Sequence, residues 1–196
     1  MKIAAIILAG GSSTRMTGQK QLLQYEGLTF IERLYKTLAV LDLSDVVCVT
    51  GYLDQEIKSL LNDTDVHFLY NPNHKEGMLS TLQVGLQYLI DANQADAILV
   101  CLTDQPLIPQ AHYQNLLNTV LDTDKNIICT SYQDTTSPPL VFKAKYFEEI
   151  LALPGSASAK SIIKKNMDDV QTVYCNEGAR EIDTDQDYQH LISEQE

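Results

Sequence analysis

The feature that most constrains this chain lies in its first twenty residues, where an apolar run passes directly into a loop rich in glycine and hydroxyl side chains. Residues 3–9 read as a buried strand. The segment that follows is Gly10-Gly11-Ser12-Ser13-Thr14-Arg15-Met16-Thr17-Gly18-Gln19-Lys20. Glycines allow a tight turn close to a ligand, amides and hydroxyl groups donate to phosphate oxygens, and Arg15 and Lys20 add positive charge. We therefore interpret this segment as a phosphate-binding loop.

This loop matches neither of the two commonest phosphate-binding motifs. A P-loop requires Gly-Lys followed by Ser or Thr, whereas Lys20 lies between Gln19 and Gln21. The loop also lacks the G-x-G-x-x-G pattern of a dinucleotide turn. The sequence thus indicates a phosphate site of a third kind.

Composition restricts the class of protein further. The chain has 196 residues, of which 44% are hydrophobic, and this suits one α/β domain. Its net charge of -12 disfavours nucleic acid as a partner, because nucleic-acid binding depends on Lys and Arg against phosphates. The apolar start is too short for a membrane span and lacks a signal-peptide cleavage pattern, so we expect a cytoplasmic protein without a membrane partner.

The four cysteines are scattered and form no C-x-x-C pair. This spacing favours buried, reduced thiols over disulfides or a zinc site. The residues are Cys48, Cys101, Cys129 and Cys175.

Short β-branched runs alternate with longer segments of helical period along the whole chain. Strands are predicted at 3–9, 45–50, 66–70, 97–102, 127–131, 139–142 and 171–174. Helices are predicted at 30–41, 53–61, 79–90, 110–121, 144–152, 157–165 and 185–192. This alternation predicts an α/β fold, a three-layer α/β/α sandwich around a mostly parallel, Rossmann-like sheet. In such sheets ligands bind at the carboxyl ends of the strands, where the glycine-rich loop, residues 71–80 and residues 104–106 should line one crevice.

Two aspartates could give this crevice a metal site. Asp104 follows the apolar run 97–102, and Asp183 precedes the final helical stripe. Either residue alone could be a turn or helix-cap aspartate. Two carboxylates beside a phosphate loop match the preference of Mg²⁺ for one or two carboxylates, with substrate phosphates and water completing the octahedron.

Several motifs together resemble a known family. The N-terminal loop is similar to the L-A-(A/G)-G-x-S-x-R-M-G-x-x-K signature of GT-A-type nucleotidyltransferases. Three later segments resemble the molybdenum cofactor cytidylyltransferase branch. They are Asn71 to Ser80 ending in Gly77-Met78-Leu79-Ser80, then Leu102-Thr103-Asp104-Gln105-Pro106, and Ile182-Asp183-Thr184.

The resemblance implies a role for each matching residue. The nucleotide would be bound by Leu8, Ala9, Gly10, Gly11, Ser12, Ser13, Arg15 and Lys20, and the catalytic residues would be Arg15, Lys20 and Asp104. Asp104 and Asp183 would hold Mg²⁺. The acceptor would be bound by Lys75, Gly77, Met78, Ser80 and Gln105. Residues 1–196 would form a single nucleotidyltransferase domain, with 1–105 as its nucleotide-binding half and 106–196 as its acceptor-binding half.

The implied reaction is transfer of CMP from CTP to molybdopterin with release of pyrophosphate, and the product would pass to a molybdoenzyme. Three alternatives stay open: guanylyl transfer from GTP to the same pterin, cytidylyl transfer to a sugar or polyol phosphate, and a non-catalytic molybdenum cofactor carrier or insertion protein. Residues 71–80 could also be an ordinary loop before a helix.

The chain departs from the family pattern at four places. Thr17 replaces a glycine, so a left-handed backbone is expected to be strained there unless Gly18 supplies the flexibility. Residues 136–139 lack the glycines of Gly-x-x-Gly-x-Pro, and Ser156 and Ser158 replace the Asp and Gly of Gly-Asp-x-Gly. We expect both of these segments to face the acceptor. Gly10 stands where cytidylyltransferases commonly have alanine, which leaves the choice of base open.

Overall fold

The computed structural model describes residues 1–13, 16–132, 135–176 and 181–194. Its strands, numbered in chain order, are β1 (Ile3–Ala9), β2 (Gln24–Tyr25), β3 (Leu28–Thr29), β4 (Asp45–Thr50), β5 (His67–Tyr70), β6 (Ala97–Leu102), β7 (Ile127–Tyr132), β8 (Thr135–Lys143) and β9 (Val170–Tyr174). Its helices are α1 (Phe30–Leu38), α2 (Asp54–Leu60), α3 (Met78–Asp91), α4 (Gln110–Asp122), α5 (Phe147–Ala152), α6 (Lys160–Lys165) and α7 (Asp185–Ser193).

One seven-stranded sheet organises the molecule, and β2 and β3 form a separate hairpin. The strand order is β5-β4-β1-β6-β8-β7-β9. All neighbouring pairs are parallel except those of β8, which runs antiparallel to both β6 and β7. The predicted mostly parallel sheet is confirmed, and it brings the carboxyl ends of β1 and β6 side by side with Leu8 opposite Leu102.

Side chains alternate across the sheet and pack against helices on both faces. The odd-numbered residues of β1 join a core with side chains of α1, α2 and α4, and the even-numbered residues from 4 to 8 join a core with α3, α5 and α6. Leu86 on α3 and Leu116 on α4 are fully buried on opposite faces. The predicted three-layer sandwich is therefore confirmed.

Element boundaries differ from the sequence prediction in two informative places. Helix α1 starts at a capping box between Thr29 and Glu32 but ends at Leu38, before the predicted residue 41. Leu41 packs into the core from the following turn, so it continues the apolar period without helical backbone. Strand β8 begins at Thr135, before Pro138, and the ladder with β7 shifts register beside the proline pair, where backbone donors are missing.

All four cysteines are buried, as predicted, and Cys48, Cys101 and Cys129 are free thiols. Burial raises the pKa of the Cys48 thiol to about 12 and raises that of Cys101 further, so both stay protonated and unreactive at neutral pH. Within the described residues, no helix is both long and apolar enough to cross a bilayer.

Candidate active site

A cleft of about 330 Å³ opens at the carboxyl ends of β1 and β6, and we call it the glycine-loop cleft. It is lined by Leu8, Gly10, Gly11, Ser12, Ser13, Lys20, Gln21, His74, Lys75, Gly77, Met78, Thr81, Leu102, Thr103 and Asp104. The three segments that the sheet rule was expected to group therefore do line one crevice.

The glycine-rich loop is hydrogen-bonded to the short 3-10 turn Lys20–Leu22 that follows it. Gln21, which is buried, donates from Nε2 to the carbonyl oxygen of Gly11 at 2.9 Å. The backbone amide of Lys20 donates to Ser13 Oγ at 2.9 Å. These bonds fix both ends of the loop, while Ala9 is buried and points into the core below it. Arg15 lies outside the described residues, so its predicted role stays a prediction.

Gly10 is close to helix α3. A Cβ atom at this position would lie 2.8 Å from Thr81 Oγ1, which is far inside van der Waals contact. Asn71 in turn donates from Nδ2 to Thr81 Oγ1 at 3.1 Å, so the threonine hydroxyl is anchored from below. The close contact with Thr81 is therefore sufficient to explain why residue 10 is a glycine.

Thr17 does not carry the strained backbone that the sequence suggested. The left-handed residue of the described part of the loop is Ser13, with φ 49°, and neither Thr17 nor Gly18 has a positive φ. Thr17 instead donates to the Asp185 carboxylate, from its hydroxyl at 2.6 Å and from its amide at 3.1 Å. The replacement of glycine therefore fastens the loop to the start of α7.

Lys20, Asp104 and Asp183 form an ion triad at the edge of the glycine-loop cleft, and Lys20 and Asp104 belong to its lining. Lys20 Nζ lies 3.4 Å from Asp104 Oδ2 and also contacts Asp183 Oδ1. The other oxygen of Asp104, Oδ1, is buried and has no hydrogen-bond partner among the described residues. Thr184, rather than Asp183, caps α7 through a capping box with Asp187. Asp183 is therefore not the N-cap of α7, and its side chain points to Lys20.

Burial raises the pKa of Asp104, and Lys20 opposes this effect. The nearby carboxylates of Glu181 and Asp183 raise the pKa of Asp104 further. A carboxylate that is desolvated, crowded by negative charge and only partly hydrogen-bonded is stabilised by an additional cation.

The donor set fits a hard divalent cation. Among the described residues no group of three or more His, Cys, Asp and Glu side chains forms a metal cage. Mg²⁺ does not need one, since it commonly takes one or two carboxylates together with substrate phosphates and water. Asp104 and Asp183 meet that requirement beside a phosphate-binding loop.

A second cleft of about 350 Å³ adjoins the first. The two share Leu8, Met78, Leu102 and Asp104. The remaining lining residues of the second cleft are Leu79, Leu82, Val100, Ser137, Pro138, Leu140, Phe142, Ala157, Ser158, Ala159, Lys160, Glu181 and Asp183. The two segments expected to face an acceptor, around Ser137 and Ser158, both contribute to this cleft. Asp104 therefore lies where two compartments meet.

The five residues predicted to bind the acceptor have different places in the structure. Met78 lines both clefts, whereas Lys75 and Gly77 line the glycine-loop cleft. Ser80 lines neither cleft, and its hydroxyl donates to the carbonyl oxygen of Gly77 at 2.8 Å. Gln105 is buried and donates from Nε2 to the carbonyl oxygen of Pro138 at 2.8 Å. Ser80 and Gln105 thus support the walls of the clefts from behind.

Close packing joins the loop of residues 71–80 to the loop of residues 153–160. Gly77 has φ 139°, a conformation that other residues rarely adopt, and a Cβ there would lie 3.3 Å from the carbonyl oxygen of Gly155. Ser156 lies directly behind, with its Cα atom 3.7 Å from the same point. The two loops therefore pack so closely at Gly77 that a larger side chain at this position would require one of them to shift.

Two residues that the sequence reasoning missed shape the site. Gln21 orients the glycine-rich loop, and Glu181 lines the second cleft while accepting a hydrogen bond from Ser137 Oγ at 3.0 Å. A signal for Glu181 was present, because it stands two residues before Asp183 on the segment that carries the carboxylate. Gln21 had no local signal, since its role depends on the fold of the loop.

Comparison with known proteins agrees with this geometry. The sequence profile of the MobA-like NTP transferase domain matches residues 5–170. The bifunctional protein GlmU of Francisella tularensis subsp. novicida is 28% identical over 130 residues, which is 65% of this chain and 28% of GlmU. The chain thus spans little more than a quarter of that curated relative.

Solved structures share the fold over nearly the full length. Rv0371c of Mycobacterium tuberculosis superposes with a TM-score of 0.83 at 22% identity, covering 98% of this chain and 97% of that chain. The manganese complex of Rv0371c superposes with a TM-score of 0.79 at 22% identity, covering 98% of this chain and 99% of that chain. A nucleotidyl transferase of Methanothermobacter thermautotrophicus superposes with a TM-score of 0.82 at 20% identity, covering 98% of this chain and 99% of that chain.

Proposed function

The chain belongs to the MobA-like NTP transferase domain family, and on this premise we propose that it is a divalent-metal-dependent cytidylyltransferase. The reaction would transfer CMP from CTP to the phosphate of molybdopterin and release pyrophosphate. The observation that carries the proposal is the position of Asp104 where the glycine-loop cleft meets a second, more apolar cleft, with Asp183 in the lining of the second cleft and in contact with Lys20. One cleft would bind the nucleotide and the other the acceptor.

In this reaction no residue of the protein needs to form a covalent bond with either substrate. A phosphate oxygen of the acceptor forms a bond to the α-phosphorus of CTP, the bond from that phosphorus to the bridging oxygen breaks, and pyrophosphate leaves with the electron pair. Positioning and charge stabilisation dominate the catalysis of such phosphoryl-group transfers. The amides and hydroxyl groups of residues 10–13 would bind the triphosphate, and Lys20 would neutralise charge at the α-phosphate. Arg15 would do so at the β- and γ-phosphates.

Asp104 and Asp183 would hold the metal. When bound, the cation would offset the negative charge of both reacting phosphates. The buried Asp104 Oδ1, without a partner among the described residues, supports this assignment, and the solved manganese complex of Rv0371c shows that a structural relative takes up a divalent metal. Lys20 would turn from these carboxylates to the nucleotide phosphates as the substrate enters.

The choice of CTP and molybdopterin rests on residue motifs. The Gly77-Met78-Leu79-Ser80 and Asp104-Gln105-Pro106 segments resemble the cytidylyl branch. Gly10, which resembles the guanylyl branch, has an independent explanation in its contact with Thr81, so it carries less weight for GTP. Transfer of the product to a molybdoenzyme belongs to the same proposal.

Pyrophosphate release tests the proposal directly. Purified protein with Mg²⁺ is supplied with CTP, GTP, UTP or ATP and with molybdopterin, a sugar phosphate or a polyol phosphate. We expect release with CTP and molybdopterin. Release only with GTP would move the assignment to guanylyl transfer, and release only with a sugar or polyol phosphate would replace the acceptor. Tight binding of the pterin without release under any nucleotide would favour a carrier protein.

A further inference from the structure

We propose that Lys160 is a specificity-determining residue of the second cleft, which selects a phosphate ester with an apolar body and a second anionic group. The proposal rests on the proposed function, because it takes the second cleft as the acceptor site. It goes further by stating which chemistry the acceptor must carry and which residue recognises the second anion.

The floor of the second cleft is apolar. Leu79 and Leu82 on α3 face Val100 on β6 and Leu140 and Phe142 on β8 across this space. A sugar or polyol phosphate carries hydroxyl groups on almost every carbon, and burying these without partners costs free energy. An acceptor that presents an apolar part or a flat ring face to these walls avoids this cost, because its polar ring edges can point away from them. The floor therefore disfavours polyols.

The polar lining of the second cleft is divided by charge. Asp104, Glu181 and Asp183 are acidic, and Lys160 is the one basic residue among the described residues that line this cleft. Glu181 is held in place by Ser137 and by Gln105, whose Nε2 lies 3.4 Å from Glu181 Oε1. The carboxylates surround the point where the acceptor phosphate would react. Of the described lining residues, Lys160 is the one that could neutralise a second anion on the acceptor.

Lys160 is available for such a ligand. Its ammonium group forms no ion pair with any described residue, although the whole chain carries a net charge of -12. On the same helix Lys165 is paired with Glu149 at 2.8 Å. An exposed lysine that has no ion-pair partner among the described residues, at the wall of a cleft with an apolar floor, is suited to a charge-assisted hydrogen bond with an incoming anion.

The cleft is continuous with the glycine-loop cleft at Asp104, which sets the order of groups along the acceptor. The phosphate would lie at Asp104, the apolar body against Leu82 and Phe142, and the second anion at Lys160. A molecule with only one anion would still reach Asp104 but would gain nothing from Lys160.

The test compares Lys160→Ala and Lys160→Arg with the control Lys164→Ala. Lys164 is exposed on the same helix and lines neither cleft. Pyrophosphate release with CTP and Mg²⁺ is measured against increasing molybdopterin, whose dithiolene supplies a second anionic group. We expect Lys160→Ala to raise the KM for molybdopterin ~10-fold or more with little change in the KM for CTP. Lys160→Arg should retain most of the affinity, and Lys164→Ala all of it.

A second acceptor and a direct binding measurement separate the two proposals. A control with the phosphate as its single anionic group, 6-hydroxymethylpterin phosphate, should bind equally to wild type and Lys160→Ala. Calorimetric titration of both pterins into each variant requires no turnover, so it tests Lys160 even if no nucleotide is transferred. An unchanged affinity for molybdopterin in Lys160→Ala, or equal turnover of ribitol phosphate and molybdopterin, would overturn this proposal. Absence of pyrophosphate release with every acceptor would overturn the proposed function instead.

Discussion

Lys20 and Asp104 are 84 positions apart in the sequence, yet Lys20 Nζ lies 3.4 Å from Asp104 Oδ2. The contact joins the glycine-rich loop after β1 to the loop after β6, two strands that pair directly in the sheet. The ammonium occupies the carboxylate-lined place that a divalent cation would need. In the proposed reaction a divalent metal would replace the ammonium beside Asp104 as Lys20 turns to the substrate phosphates, so that Asp104 would keep a neighbouring positive charge.

Replacement of Lys20 tests its electrostatic role in transfer. We expect Lys20→Ala to lower turnover ~10² to 10³-fold, the usual effect of losing one group that stabilises transition-state charge. The circular dichroism spectrum should be unchanged, because the side chain lies at the cleft and not in the core. Lys36→Ala, an exposed lysine on α1 outside both clefts, is the matched control. Normal turnover of Lys20→Ala would refute the assigned role.

The charge of Asp104 should lower the stability of the folded protein while it supports activity. Its pKa is raised above the unfolded value by burial, so the folded state holds the proton more tightly and loses stability as pH rises between the two pKa values. Asp104→Asn removes this charge. We expect its thermal midpoint at pH 7 to be equal to or above that of wild type, while pyrophosphate release falls at least ~100-fold.

The pH dependence is tested by measuring the thermal midpoints of wild type and Asp104→Asn from pH 4 to pH 8. The advantage of Asp104→Asn over wild type should grow with pH and then level off above the folded pKa. A variant that is several degrees less stable than wild type at pH 7 would contradict this account of the site.

Local patterns were sufficient to predict much of the fold and the identity of the loops. The apolar run 97–102 and the helical period of 79–90 coincide closely with β6 and α3. The antiparallel direction of β8 has no local signal, because a strand of either direction shows the same buried side chains. The placement of Gln105 behind the cleft wall likewise depends on Pro138, 33 residues away. Contacts between loops that are far apart in the sequence could not be predicted from local sequence patterns.

Asp169 provides a stability prediction that should leave activity intact. Burial alone would raise its pKa, but hydrogen bonds from Lys145, Tyr146 and Asn126 outweigh this and hold the pKa well below its usual range. Asp169→Ala should lose about 1.5 to 3 kcal/mol of unfolding free energy at neutral pH, as expected for hydrogen bonds to a charged group. Urea denaturation measures the loss.

The pH dependence of the Asp169 effect follows from the lowered pKa. Its stabilisation is fully present above the unfolded pKa, near 4, and is lost as pH falls through the lower folded pKa. The difference between wild type and Asp169→Ala should therefore be constant above about pH 5 and shrink below about pH 4. Turnover at 25 °C should be equal in the two proteins, since Asp169 lines neither cleft.

Thr17 should stabilise the observed conformation of the phosphate-binding loop through its contact with Asp185. Thr17→Gly restores the residue typical of the family but removes the 2.6 Å bond to Asp185 and frees the backbone. We expect a several-fold higher KM for the nucleotide, because the loop must be ordered on binding, and a smaller change in kcat. Thr17→Ser keeps the hydroxyl and should behave as wild type. If Thr17→Gly and Thr17→Ser gave the same KM, the contact would have no functional role.

Gly10 and Thr81 should be coupled. Gly10→Ala places a methyl group 2.8 Å from Thr81 Oγ1, so the loop or the start of α3 must move, and we expect weaker nucleotide binding in isothermal titration. Thr81→Ala removes the clashing oxygen, and the double variant should therefore bind the nucleotide better than Gly10→Ala alone, a non-additive effect typical of residues in contact. The ratio of CTP to GTP affinity should stay the same in all three variants. A change in that ratio with Gly10→Ala alone would instead make Gly10 a determinant of base choice.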